Sequence, residues 1–190
     1  AKKGVLADIA KTEFTGYGNT ESEGCVLALL GDDGKVAAAG EGDEISVILD
    51  KTPFYGEGGG QVGDVGYIRS AGAELEVTDT KKEDGVYIHI CTVRSGDIHE
   101  GDSVTASVCP NVRAATERNH SAAHLLQGAL RKVLGSHVEQ AGSYVDEFRG
   151  RFDFTHFSAV EPEELRKVED LVNARILEGI PVRTLVTDID

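Results

Sequence analysis
The spacing of apolar positions divides the chain into two stretches with different periods. Before Pro110 they come in short runs broken by glycine and acidic residues. Cys25–Leu30 and Lys35–Ala39 flank Gly31-Asp32-Asp33-Gly34 and predict a hairpin, because Gly and Asp supply the backbone angles of a tight turn. Glu44–Leu49 predicts another strand. Gly66–Ser70, Glu74–Thr80 and Val86–Val93 follow, the last two joined through Asp84-Gly85, and Ser103–Val108 alternates as one more. Strands at this spacing, with glycine-rich turns, predict a small antiparallel barrel or sandwich. After Pro110 the period turns helical. Asn111–Leu134 carries Ala122, Leu125, Leu126, Ala129, Leu130 and Val133, and Gly135 stands where a helix-ending glycine belongs. His137–Phe148 and Arg151–Phe157 predict two strands turning at Arg149-Gly150. Pro162 to Glu178 predicts a second helix. Pro162 suits its first position, acids crowd the first turn, and Glu163 stands four residues before Lys167. Gly179 ends it, and Pro181–Thr187 predicts a last strand. The fold class is therefore α+β, in two parts: residues 1–112, then residues 113–190.

Composition sharpens that division. Eighteen of the 23 glycines lie in residues 1–112. Hydrophobic residues make up 40% of the 190, enough for a packed core. No apolar run reaches the ~18 residues that would span a bilayer, and the first twenty residues lack the apolar stretch of a signal peptide. Three cysteines, Cys25, Cys91 and Cys109, are an odd and scattered set, which fits a reducing, cytoplasmic setting. The chain starts at Ala1, contains no Met, and closes on a strand with nothing to cover it, so it is expected to be a piece of something larger. That bare strand also predicts pairing with a second copy as a homo-oligomer.

Lys plus Arg is 19 and Asp plus Glu is 33, a net charge of −14. Such a chain is not a general nucleic-acid binder. Within residues 113–151, however, six Arg/Lys face four Asp/Glu, so contact with a polyanion is expected to be local. Arg118, Arg131 and Arg149 are the candidate phosphate contacts.

Two segments carry candidate chemistry. His120-Ser-Ala-Ala-His124 puts two imidazoles about 40° apart on one helix face, one turn apart, where both reach a single metal ion. Gln127 and Arg131 continue that polar stripe. Ser121 leaves no Glu to act as a zincin base. The plain alternative is an exposed polar stripe. Zinc needs further ligands; His137 is a candidate third and His156 lies on a predicted strand, whereas His89 and His99 are expected at the surface of the barrel part. The second segment is Thr52-Pro-Phe-Tyr-Gly-Glu-Gly-Gly-Gly-Gln-Val-Gly-Asp64. Its Gly58, Gly60 and Gly63 match G-x-G-x-x-G, but a strand follows where dinucleotide binding requires a helix. It is either a wide turn or a loop whose bare backbone and Gln61 approach a ligand closely.

These motifs together resemble the alanyl-tRNA synthetase family. The carrying residues are Asp50 through Asp64, Arg118-Asn-His-Ser-Ala-Ala-His-Leu-Leu126, Arg151-Phe-Asp-Phe154 and Val168-Glu-Asp-Leu-Val-Asn173. The resemblance runs from about Glu13 to Asp190, and freestanding alanyl-tRNA editing proteins share part of it. It implies a translation-protein-like β-barrel over residues 1–112, then the first part of an α+β editing domain over 113–190, incomplete here. That domain hydrolyses tRNA(Ala) mischarged with serine or glycine, near neighbours of alanine that one pocket rejects poorly. His120 and His124 match the first half of the family's Zn2+ site; a later Cys-x-x-x-His pair would lie beyond Asp190. Gln140 matches a polar pocket residue assigned to catalysis. Gly58, Gly59, Gly60, Gln61 and Ala123 would meet the tRNA 3′ end. Ala123 stands where the family commonly has a Thr that senses the serine hydroxyl. ATP and Mg2+ would belong to an aminoacylation domain before Ala1. The implied partners are the tRNA(Ala) acceptor end and the remaining synthetase domains. Two alternatives stay open: a freestanding trans-editing deacylase, or a non-catalytic scaffold or tRNA-binding module.

Overall fold
The computed structural model describes residue 4, residues 6–183, and residues 185 and 187. Among the described residues, twelve strands and two long helices follow in order. The strands are β1 (Glu13–Phe14), β2 (Glu21–Gly31), β3 (Gly34–Val36), β4 (Ala38–Gly40), β5 (Glu44–Leu49), β6 (Lys51–Thr52), β7 (Gly66–Arg69), β8 (Ala73–Glu83), β9 (Val86–His99) and β10 (Ser103–Val108). Helix α1 (Pro110–Leu134), strands β11 (Gln140–Val145) and β12 (Gly150–Phe154), and helix α2 (Pro162–Leu177) complete the chain.

Six strands close on themselves. They run β10-β7-β8-β9-β5-β2, and β10 pairs back onto β2, every pair antiparallel. Closure removes the sheet edges, and of barrel and sandwich the chain forms the barrel. Inward-pointing residues fill it: Leu29, Val47, Leu49, Ile68, Leu75, Val93 and Phe54 are all at most 1% exposed. β5 is buried without a break from Ile45 to Leu49, Ser46 included, because both its faces are covered. Ile45, Val47 and Leu49 face the interior, whereas Ile48 joins Ala28, Leu30, Val86 and Ile88 in a second cluster beneath Leu6. The β8–β9 turn takes φ +49° at Asp84 and +84° at Gly85, the paired positive angles of a tight hairpin.

Helix α1 leaves the barrel directly. Ala129 and Leu130 pack with Val138 and with Val168 of α2, flanked by Phe152 and Phe154 of β12. Glu163 and Lys167 form the expected ion pair at 2.9 Å. Leu165, Ile176 and Leu177 of α2 remain exposed.

The structure corrects three expectations and adds two strand pairs. The β11–β12 hairpin is shorter than His137–Phe148 with Arg151–Phe157, because Asp146 folds the tip by accepting the Phe148 and Arg149 N–H groups. His89 is buried rather than at the surface, completely enclosed on β9, since the barrel closes around it. The short parallel pair β1–β6 and the β4–β9 pair were not anticipated. Finally, the strand expected over Pro181–Thr187 falls partly outside the described residues, and Pro181–Arg183, Leu185 and Thr187 form no strand.

Candidate functional site
The glycine-rich segment is both a turn and a contact. Gly58 and Gln61 exchange backbone hydrogen bonds of 3.2 and 3.0 Å, with Gly59 at φ +58° and Gly60 at φ +83° between them. Those two glycines meet the demand of a two-residue hairpin turn. The turn then docks on the second part of the chain. Val145 N–H donates to the Gly60 carbonyl at 2.8 Å, and Val62 N–H donates to the Val145 carbonyl at 3.0 Å. A Cβ at Gly60 would lie 2.6 Å from the Ser143 carbonyl oxygen, so β11 comes close only because this residue lacks one.

The Gln61 side chain points away from solvent, 7% exposed, and its Oε1 lies 2.5 Å from His120 Nδ1. An amide oxygen only accepts, so Nδ1 carries the proton and Nε2 presents its lone pair. His120 Nε2 lies 3.1 Å from His124 Nε2, with the rings stacked at 5.0 Å. Burial, and then the neighbouring His124, lower the pKa of His120 below the ordinary imidazole value, which favours the neutral, ligating form.

The two histidines border a small cleft of about 70 Å³ whose other walls include Gly59, Ala123, Gln140 and Ser143. Gln140 Nε2 donates to Ser143 Oγ at 3.2 Å, and Ser143 Oγ donates to the Gly59 carbonyl at 3.4 Å. Phe152 supplies an apolar wall. The cleft thus offers an amide, a hydroxyl and two imidazoles around a space suited to a small polar group. Of the residues singled out in the sequence, His120, His124, Ala123, Gln140, Gly59 and Gln61 converge here. Gly58 sits one position behind, its carbonyl taking the Tyr55 hydroxyl at 3.0 Å. Gln61 contacts His120 rather than lining the cleft. His137 stands apart: its Nε2 is 2.8 Å from His156 Nδ1, and the rings stack. His99 is exposed. Arg118, Arg131 and Arg149 are exposed as well.

Two imidazole nitrogens bound tetrahedrally to zinc sit roughly 3.3 Å apart. The His120–His124 separation of 3.1 Å fits two corners of such a site. Among the described residues, no cluster of three His, Cys, Asp or Glu side chains completes it.

Sequence reasoning passed over three side chains at this junction. Arg113, on the first turn of α1, donates from Nε to Asp64 Oδ2 at 2.8 Å, from Nη2 to the Pro53 carbonyl at 2.7 Å, and from Nη1 to the Gly16 carbonyl at 2.9 Å. Asp64 also accepts the Tyr55 N–H at 2.7 Å. Seven residues separate Arg113 from His120, which places them within about 20° on one helix face, and this spacing was the available signal. Ser143, a lone serine on a strand, carried none.

A closed antiparallel barrel, extended by a helix that carries paired histidines against a glycine loop, defines a class that the comparisons identify. Residues 2–111 match the family model "tRNA synthetases class II (A)", and the chain belongs to that family. Within it, the chain is 50% identical over 186 residues to the alanine–tRNA ligase of Pseudomonas syringae pv. tomato, covering 98% of this chain and 21% of that protein. It is 51% identical over 181 residues to the alanine–tRNA ligase of Acetivibrio thermocellus, covering 95% of this chain and again 21% of the relative. The chain therefore spans about a fifth of the length of these ligases. No helix among the described residues is long and apolar enough to cross a membrane.

Proposed function
We propose that this chain is the barrel and first editing segment of an alanine–tRNA ligase, and that the cleft beside His120 and His124 takes part in hydrolysing seryl- or glycyl-tRNA(Ala). The observation that carries the reading is convergence. A loop near residue 60, a helix face near residue 120 and a strand residue at 140 meet at one small polar cleft, although the sequence separates them widely. The identity to named alanine–tRNA ligases supports the same reading.

On this reading the 3′-terminal adenosine of tRNA stays at the cleft mouth and its aminoacyl ester enters. The Gln140 amide and the Ser143 hydroxyl hydrogen-bond the polar group of the wrong amino acid, and Phe152 limits its size. Ala123 contributes only a methyl group, so a serine hydroxyl finds its partners in Gln140 and Ser143. A zinc ion held by His120 and His124, with ligands from outside this chain, would supply a Lewis acid that polarises water or orients the substrate amine. Gln61 keeps the Nε2 lone pair of His120 directed at that position. Water replaces the ribose oxygen at the carbonyl, releasing free amino acid and tRNA. Charging of tRNA, with its ATP and Mg2+, belongs to the part of the ligase outside this chain, and the working setting is the cytoplasm.

A non-hydrolysable seryl-adenosine amide tests the reading in an intact ligase carrying this region. It should inhibit clearance of seryl-tRNA(Ala) while leaving alanine charging untouched, and His120→Ala should remove its binding. Inhibition of charging with clearance intact would place the ester elsewhere.

A further inference from the structure
The Arg113–Asp64 pair is set deep at the junction between barrel and helix, with side chains 8% and 4% exposed. Each of its three guanidinium nitrogens donates, to the Asp64 carboxylate or to the carbonyls of Gly16 and Pro53. Asp64 in turn ties to Tyr55 in both directions, its carboxylate taking the Tyr55 N–H at 2.7 Å and its own N–H donating to the Tyr55 carbonyl at 2.9 Å. The base of the glycine loop is thereby closed and fastened to the first turn of α1. The Cys109 N–H, just ahead of that helix, donates to the Val65 carbonyl at 2.8 Å and fastens the same junction again.

Two rungs therefore join one loop to one helix face. Asp64 meets Arg113, and three residues earlier Gln61 meets His120. Seven helical residues correspond to roughly 10 Å along the axis, a span that the three loop residues cover when extended. The two rungs share the short stretch Gln61–Asp64, so the Arg113–Asp64 pair fixes one end of it and the Val145 backbone bonds brace the other.

We propose that Arg113 and Asp64 are positioning residues for the cleft: their ion pair holds the loop so that Gln61 fixes His120 with the proton on Nδ1 and the lone pair on Nε2. This inference rests on the reading of His120 and His124 as working groups, but its test needs neither tRNA nor catalysis. The Arg113 side chain touches no cleft residue directly; it acts through the loop.

The test reads the His120 tautomer in the full 190-residue chain by long-range proton–nitrogen NMR. The wild type should hold the Nδ1–H form. Asp64→Asn should shift His120 toward the Nε2–H form, while barrel amide signals keep their positions. Arg113→Lys, which keeps the charge but loses the fork, should fall between the two. Gln61→Ala, which leaves the ion pair whole, should give the full tautomer shift even where an Asp64 variant fails to fold. An unchanged tautomer in folded Asp64→Asn, or in Gln61→Ala, overturns the proposal. A shifted tautomer in folded Asp64→Asn or Arg113→Lys upholds it whatever the fate of deacylation, so failure of the editing reading would be seen separately.

Discussion
His89 shows what burial does to a single residue in this barrel. Its Nδ1–H donates to the Val47 carbonyl at 2.8 Å, and its Nε2 takes the Thr52 hydroxyl at 2.7 Å. Thr52 Oγ1 in turn accepts the Phe54 N–H at 3.1 Å, so the chain of bonds ends at the start of the glycine-rich segment. Full desolvation pushes the His89 pKa down to about 4. The unfolded chain binds a proton near pH 6.5 that the folded chain refuses until pH 4, so stability falls as pH drops through that window. Urea unfolding should show about 2 kcal/mol lost from this group between pH 7 and pH 5, and His89→Gln should flatten that part of the profile. A wild-type profile flat over this range would contradict the assignment. The pattern around Val86–Val93 marks a strand and left His89 expected at the surface, because only closure of the barrel makes position 89 an interior one.

At the scale of elements, the local signals were legible and the long-range ones were not. β5 and β10 match their expected bounds, and the hairpins at Gly31–Gly34 and Asp84-Gly85 form where glycine and aspartate demand them. Both helices start at a proline and end near a glycine, within a residue of expectation. Closure of β10 onto β2, the parallel β1–β6 pair and the docking of the glycine loop on β11 leave no local trace, because each joins segments far apart in sequence. The loop itself was half legible. Its three glycines read as more than a plain turn, and the structure assigns two to positive φ and one of those also to close contact with Ser143. A paired substitution separates these demands. Gly59→Ala, at φ +58° with nothing within 4 Å, should cost about 1 kcal/mol from backbone strain alone. Gly60→Ala meets the Ser143 carbonyl as well and should cost at least twice as much, with amide shifts spreading into β11. Equal losses in urea unfolding would mean that the loop does not depend on that contact.

At the scale of the whole molecule, charge and site point to a division of labour. A chain of net charge −14 cannot draw in a tRNA by its overall field. The exposed Arg118, Arg131 and Arg149 lie on the helix and hairpin that carry the cleft, so on the proposed reading they would guide a short acceptor end rather than capture a whole tRNA. The barrel contributes no catalytic side chain on this reading; it presents a rigid loop, and Arg113–Asp64 transmits that rigidity to the histidine helix. The spacing of the histidine pair could be read in the sequence and Gln140 only through the resemblance, whereas Ser143 and the ion pair became visible only when the two parts were seen packed together.

The central claim is that this cleft clears mischarged tRNA, and hydrolysis of seryl-tRNA(Ala) by an intact ligase carrying His120→Ala tests it most directly. The account predicts a loss of hydrolysis of roughly 100-fold or more, the scale of removing one group that acts at the reacting ester, with alanine charging retained. Hydrolysis at the wild-type rate in a folded His120→Ala enzyme would contradict it.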